Sequence, residues 1–97
     1  MEQKRFEVIF SPSAQKDIEK LEVDKALQIA TDIKIYLETS PFPFGKTRIK
    51  KLTNFDPPLY RLRSGDFRIY YRIRRKEVII LAVTHKKDSE KSFKKFR

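Results

Sequence analysis

Phe6, Val8 and Phe10 recur at a period of two just before Ser11-Pro12, which predicts a short strand with one buried face. Ser11 is a good helix N-cap and Pro12 suits a first helical turn. Ala14, Ile18 and Leu21 then fall at i, i+4 and i+7, so a short helix is expected to follow. Asp24 is read as the cap of a second helix with an apolar stripe of Ala26, Leu27, Ala30, Ile33 and Leu37. Ser40-Pro41 ends it, because the residue before a proline avoids the α conformation. The proline- and glycine-rich PFPFGKT reads as a loop leading to a strand over Thr47–Leu52, and TNFDPP as another loop. LYRLRSGDFRIYYRI alternates strictly, as two half-buried strands do. VIILAV is apolar on both parities and predicts a central strand covered on both faces. Asp88 or Ser89 could cap a last short helix carrying Phe93 and Phe96. No internal repeat is present. The pattern predicts an α+β fold, with an N-terminal helical hairpin packed on a twisted, mainly antiparallel four- to five-stranded sheet and a short C-terminal helix.

Length and composition narrow the picture. The 97 residues have room for one domain, here expected over 1–97, with one modest core. Eight Phe and four Tyr are enough to pack a sheet against helices, which argues against disorder. The absence of cysteine rules out disulfides and thiolate metal sites, and one histidine cannot build a metal site alone. No metal or cofactor is expected. MEQKRFEVIF lacks the apolar run of a signal peptide, and no stretch approaches the ~18–20 apolar residues of a membrane span. A cytoplasmic protein is the expectation.

Charge changes the picture most. Residues 1–45 carry 6 basic and 8 acidic side chains, net −2, while residues 46–97 carry 17 and 5, net +12. Placing the whole +10 excess in one half favours a polyanion-binding surface over mere solubility. The densest part is a hairpin. Gly65-Asp66 fits a two-residue type II′ turn, and counting outward sets Arg63 against Arg68, Leu62 against Ile69, Arg61 against Tyr70 and Tyr60 against Tyr71. Leu62, Ile69, Tyr60 and Tyr71 then share one face, while Arg61, Arg63, Arg68, Tyr70 and Arg72 share the other. A one-residue slip would scramble both sets. Directly opposed arginines repel, so stability alone would not select them. An anion held by guanidinium forks, with the Tyr70 phenol available for stacking or proton transfer, would make the arrangement favourable. If Arg75-Lys76 forms the next turn, Ile73 faces Val78, Arg68 faces Val83, and His85 continues on the arginine face. Lys86 and Lys87 lie at the end of that strand, within reach of the cluster. Lys46, Arg48, Lys50 and Lys51 form a second basic run, either a solvated strand face or a direct RNA contact.

The layout resembles the RelE/ParE toxin superfamily over nearly the whole chain. The most specific matches are Leu59-Tyr60-Arg61-Leu62-Arg63 with Gly65-Asp66-Phe67-Arg68-Ile69-Tyr70-Tyr71, and Val83-Thr84-His85-Lys86-Lys87-Asp88. The resemblance implies a toxin of a type II toxin–antitoxin system, with the RelE-like branch favoured. RelE-type members are ribosome-dependent endoribonucleases that cut mRNA through the RNA's own 2′-hydroxyl, without metal; ParE-type members inhibit DNA gyrase on the same fold. A degenerate, non-toxic member is a third possibility. By position, the resemblance gives Arg68 and Lys86 the role of stabilising phosphate charge, Arg61 or Arg63 that of positioning the scissile phosphate, and His85 that of acid or base. Lys50, Lys51, Arg72, Tyr70, Lys87 and Phe93 would complete the RNA contacts. Where the RelE pattern has a C-terminal tyrosine, this chain offers Ser92-Phe93, which can stack on a base but cannot move a proton. Proton transfer would then fall to His85 or Tyr70. The implied partners are the ribosome, mRNA and an acidic or amphipathic antitoxin that covers the cationic face in a hetero-oligomer.

Overall fold

A computed structural model describes residues 5–44 and 48–89. They build β1 (Glu7–Phe10), α1 (Pro12–Glu19), α2 (Val23–Asp32) running into a π-helical turn (Ile33–Leu37), β2 (Ile49–Leu52), β3 (Leu59–Ser64), β4 (Phe67–Arg74) and β5 (Glu77–His85), with a 3₁₀ turn at Lys86–Asp88. The sheet order is β1-β5-β4-β3-β2, with β1 parallel to β5 and every other pair antiparallel. This is the α+β fold the pattern predicts. The helix carrying Phe93 and Phe96 lies outside the described residues, and no helix among the described residues is long and apolar enough to cross a membrane.

Capping explains where α1 begins. The Ser11 hydroxyl accepts from the Ala14 amide at 3.1 Å, and Pro12 follows in the first turn. Ala14 is fully buried, with Ile18 and Leu21 packed beside it. α2 differs from expectation at both its cap and its buried stripe. Glu22 is the N-cap and Asp24 lies in the first turn. Ile29, Ile33 and Leu37 face the sheet, whereas Leu27 is 62% exposed and Ala30 is also exposed. The helix is apolar on more than one side, since Val23 and Ile35 are exposed too. Periodicity alone therefore could not choose the stripe, and the sheet decides it.

The helix-facing core gathers Ile29, Ile33 and Leu37 against Ile49, Tyr60, Leu62, Ile69, Tyr71, Val78, Ile80 and Val83. Burying each large aliphatic contributes about 1.5–3 kcal/mol. Tyr71 stacks on Tyr60 at 5.6 Å and donates to the Pro41 carbonyl at 2.8 Å. Burial, then the neighbouring Tyr60, raises the Tyr71 phenol far above its ordinary range, so it stays neutral.

One irregularity in β5 governs the site. Tyr70 pairs with Ala82 but Tyr71 pairs with Ile80, which leaves Leu81 as the extra residue of a β-bulge. Side chains from α1 and its cap occupy the disturbed backbone groups. Ser11 Oγ donates to the Leu81 carbonyl at 3.3 Å, and the Asp17 carboxylate accepts from the Val83 amide at 2.9 Å. Asp17→Ala should therefore cost about 1–3 kcal/mol in chemical denaturation, because it orphans a covered amide. Asp17→Asn, which keeps an acceptor oxygen, should recover part of that. Equal stability of Asp17→Ala and the parent protein would refute the role.

Candidate functional site

The hairpin forms with the expected register. Arg63 lies opposite Arg68, Leu62 opposite Ile69, Arg61 opposite Tyr70 and Tyr60 opposite Tyr71. Gly65 has φ +58°, the left-handed region that favours glycine, as the first position of a type II′ turn requires. The turn is braced from the helix side. A Cβ on Gly65 would come within 2.3 Å of Gln28 Nε2, so that amide sits directly over the turn. The fully buried Ser64 donates to Asp32 at 2.6 Å, and Arg48 lies 4.0 Å from the same carboxylate while covering the Tyr36 ring at 5.4 Å. Sequence reasoning missed Gln28, Asp32 and Asp17 because their partners are 32 to 66 residues away along the chain and no local pattern marks such pairs.

Since Tyr60, Leu62, Ile69 and Tyr71 pack against the helices, Arg61, Arg63, Arg68 and Arg72 project from the other face. Arg63 is exposed, and Arg61, Arg68 and Arg72 are half-buried. None of the four lies within ion-pair distance of a carboxylate among the described residues; the acidic partners there belong to Arg48, Arg74 and Lys86. Arg68 is folded against its own turn, with Nη1 donating to the carbonyls of Gly65 at 3.1 Å and Phe67 at 2.9 Å. Partial burial, then the charges of Arg61 and Arg63, hold its guanidinium below the usual value, opposed by Tyr70 and Asp66. It remains a cation in a cationic field, so an anion arriving there relieves repulsion rather than displacing a carboxylate.

The structure corrects the sequence reading at three expected contacts. Tyr70 is fully buried with Leu59 and Ala82, flanked by Leu52, Phe55 and Leu81, and its hydroxyl meets Ser89 Oγ and the Ser89 carbonyl. It forms a small second core beneath the arginines and offers no ring for stacking. His85 lies opposite Phe67, not beside Arg68, because the Leu81 bulge reverses the parity of everything after it; Arg68 faces Thr84 instead of Val83. The imidazole packs edge-on against Phe67 at 5.4 Å, and its Nδ1 accepts from the Lys87 amide at 3.1 Å, capping the 3₁₀ turn. The neutral ring therefore carries its proton on Nε2. The basic pair on β2 splits as well. Lys50 lies opposite Arg61 and extends the arginine face, whereas Lys51 lies opposite Tyr60 and belongs to the helix side of an edge strand.

Lys86 is placed close to the turn. Its amide donates to the Asp66 carbonyl at 2.7 Å and its ammonium lies 3.4 Å from the Asp66 carboxylate. Lys87 is exposed in the 3₁₀ turn, and Phe93 lies outside the described residues. Among the described residues no group of three or more His, Cys, Asp or Glu is placed to hold a metal ion.

A sheet with one helix-covered face and one arginine face, closed by a basic turn, matches a known family model. Residues 8–90 match the model of the ParE toxin of type II toxin–antitoxin systems. The chain belongs to this family. The toxin is also similar in structure to RelE in the archaeal RelE–RelB complex of Pyrococcus horikoshii OT3, at TM-score 0.69 and 26% identity over 84% of this chain and 94% of that one. A second likeness is to the RelBE2 toxin–antitoxin complex of Mycobacterium tuberculosis, at TM-score 0.69 and 25% identity over 84% and 98%. The YoeB dimer of Staphylococcus aureus, at 19% identity and TM-score 0.65 over 84% and 97%, shares the fold. No curated protein matches the chain. The toxin thus combines a RelE-like fold with the type II family assignment, as the hairpin and closing-strand motifs implied.

Proposed function

We propose that the toxin is a ribosome-dependent mRNA endoribonuclease whose arginine face holds the scissile phosphate. The observation that carries this reading is the Arg63–Arg68 pair, with Arg61 alongside, lacking any carboxylate partner among the described residues. In the proposed reaction the RNA 2′-oxygen attacks the adjacent phosphorus and loses its proton to a solvent water. The bond from phosphorus to the 5′-oxygen breaks, and that oxygen takes up a proton, leaving a 2′,3′-cyclic phosphate. Arg63 and Arg68 offset the charge that builds on the phosphorane, with Arg61 and Lys50 orienting the strand, and no metal is required. Lys86, beside the turn, would protonate the departing oxygen. Tyr70 and His85 are committed to packing and capping, so charge and positioning carry the chemistry.

His85→Asn, which can still cap the 3₁₀ turn, should leave growth arrest intact. Loss of arrest by a well-folded variant would return the imidazole to the reacting centre. The toxin is further proposed to act in the cytoplasm and to be restrained by an acidic or amphipathic antitoxin covering the same face, as the resemblance to toxin–antitoxin complexes suggests. The decisive experiment maps mRNA 3′ ends after brief induction. Codon-phased cuts ending in cyclic or 3′-phosphate are the expected result. Unphased ends accompanied by gyrase-linked DNA breaks would instead support an inhibitor of DNA gyrase, the reading favoured by the ParE family match, by the burial of Tyr70 and by the capping role of His85.

A further inference from the structure

The guanidinium groups of the arginine face do not all crowd the turn. Arg63 and Arg68 oppose each other beside the turn. Arg72 lies four residues further along β4, about 13 Å away at the rise of an antiparallel strand. Arg61, opposite Tyr70, is the diagonal neighbour of both Arg68 and Arg72, at a Cα spacing of about 7–8 Å that long side chains span easily, and so bridges the pair at the turn to Arg72. Arg61 and Arg72 also share an unusual condition. Each has an Nε shut away from solvent with no hydrogen-bond partner among the described residues. Both residues nevertheless stay partly exposed, so the stem is packed and fixed while another part of the side chain meets solvent. Beyond Arg72 the next arginine has an acidic partner. Arg74 is paired with Glu77 at 3.0 Å, and Glu7 of β1 lies opposite Glu77.

We infer that Arg72, joined through Arg61 to the Arg63–Arg68 pair, forms a second phosphate subsite, which takes a phosphodiester further along the same single strand of RNA. The inference rests on the RNA reading above. On β4 the buried Tyr70 separates Arg68 from Arg72, and beyond Arg72 the next arginine is held by Glu77. The ligand is accordingly a short single-stranded segment spanning more than one phosphodiester.

The experiment measures the affinity of the full chain for 2′-O-methyl oligoribonucleotides with one to four phosphodiesters, each across a salt titration; the methyl group blocks cleavage. The parent toxin should show a step in affinity of roughly tenfold as the oligonucleotide grows long enough to reach Arg72. Arg72→Met keeps the packed stem and removes the charge. It should erase that step and lower the salt slope by about 0.7 for the longest oligonucleotide. Arg72→Lys should retain most of both, and circular dichroism establishes that each variant is folded. A step and slope unchanged in Arg72→Met would overturn the second subsite while leaving RNA binding at Arg63–Arg68 standing. Failure of the parent toxin to bind at any length would remove the RNA reading and the subsite together.

Discussion

Arg68→Ala should relieve growth arrest and lower cleavage at the ribosome by a hundredfold or more, with little change in melting temperature. The side chain projects from the face opposite the helix-packed core and, among the described residues, donates its hydrogen bonds to the carbonyls of its own turn. Its removal deletes two exposed or half-exposed hydrogen bonds, a matter of about 1 kcal/mol. It also removes the arginine–arginine repulsion with Arg63, which offsets part of that loss. A cation aimed at the developing charge of a transition state is typically worth a hundred- to a thousandfold in rate. Activity and stability should therefore separate. Arg68→Lys, a point charge without the guanidinium fork, should fall between the two. A folded Arg68→Ala protein that still arrests growth and still produces phased mRNA ends would end the assignment of Arg68 to the reacting phosphate.

Tyr70 makes the opposite case, and its two variants should diverge sharply. Tyr70→Ala empties a fully buried aromatic site between Leu59 and Ala82 and should cost about 3–5 kcal/mol, a large share of the ~5–15 kcal/mol that holds a domain folded. The variant is expected to accumulate poorly and to unfold at far lower urea concentration. Tyr70→Phe keeps the ring and loses the hydroxyl's contacts to Ser89, so about 1 kcal/mol of stability should go while growth arrest persists. Loss of arrest by a stable Tyr70→Phe protein would instead make the phenol a chemical participant.

These two residues mark where the sequence was and was not sufficient. The hairpin register was legible because a two-residue turn fixes pairing by counting, and because both parities had to agree on both strands. The arginine face, the Ser11 cap and the central strand β5 followed from the same local rules. Tyr70 was misread because alternation says which face a residue occupies, not whether that face has a core of its own. The second cluster draws on Leu52, Phe55 and Leu81 from three separate segments. His85 was misread for a different reason. The inserted residue in β5 carries no turn signal, and the groups that accommodate it, Ser11 and Asp17, lie at the other end of the chain. The same limit applies to α2, where two apolar stripes compete and only the docked sheet selects Ile29 over Leu27.

The Leu81 bulge works as a parity switch for the end of the sheet. With Leu81 present, Thr84 borders Arg68 and the imidazole is turned toward Phe67. Were Leu81 drawn into the regular ladder instead, Val83 would face Arg68 and His85 would move to the arginine face, bringing a titratable ring toward the guanidinium array without altering any arginine. The α1 cap that clasps the bulge therefore decides, from a distance, whether this scaffold pairs its positive charge with a hydroxyl or with an acid–base group.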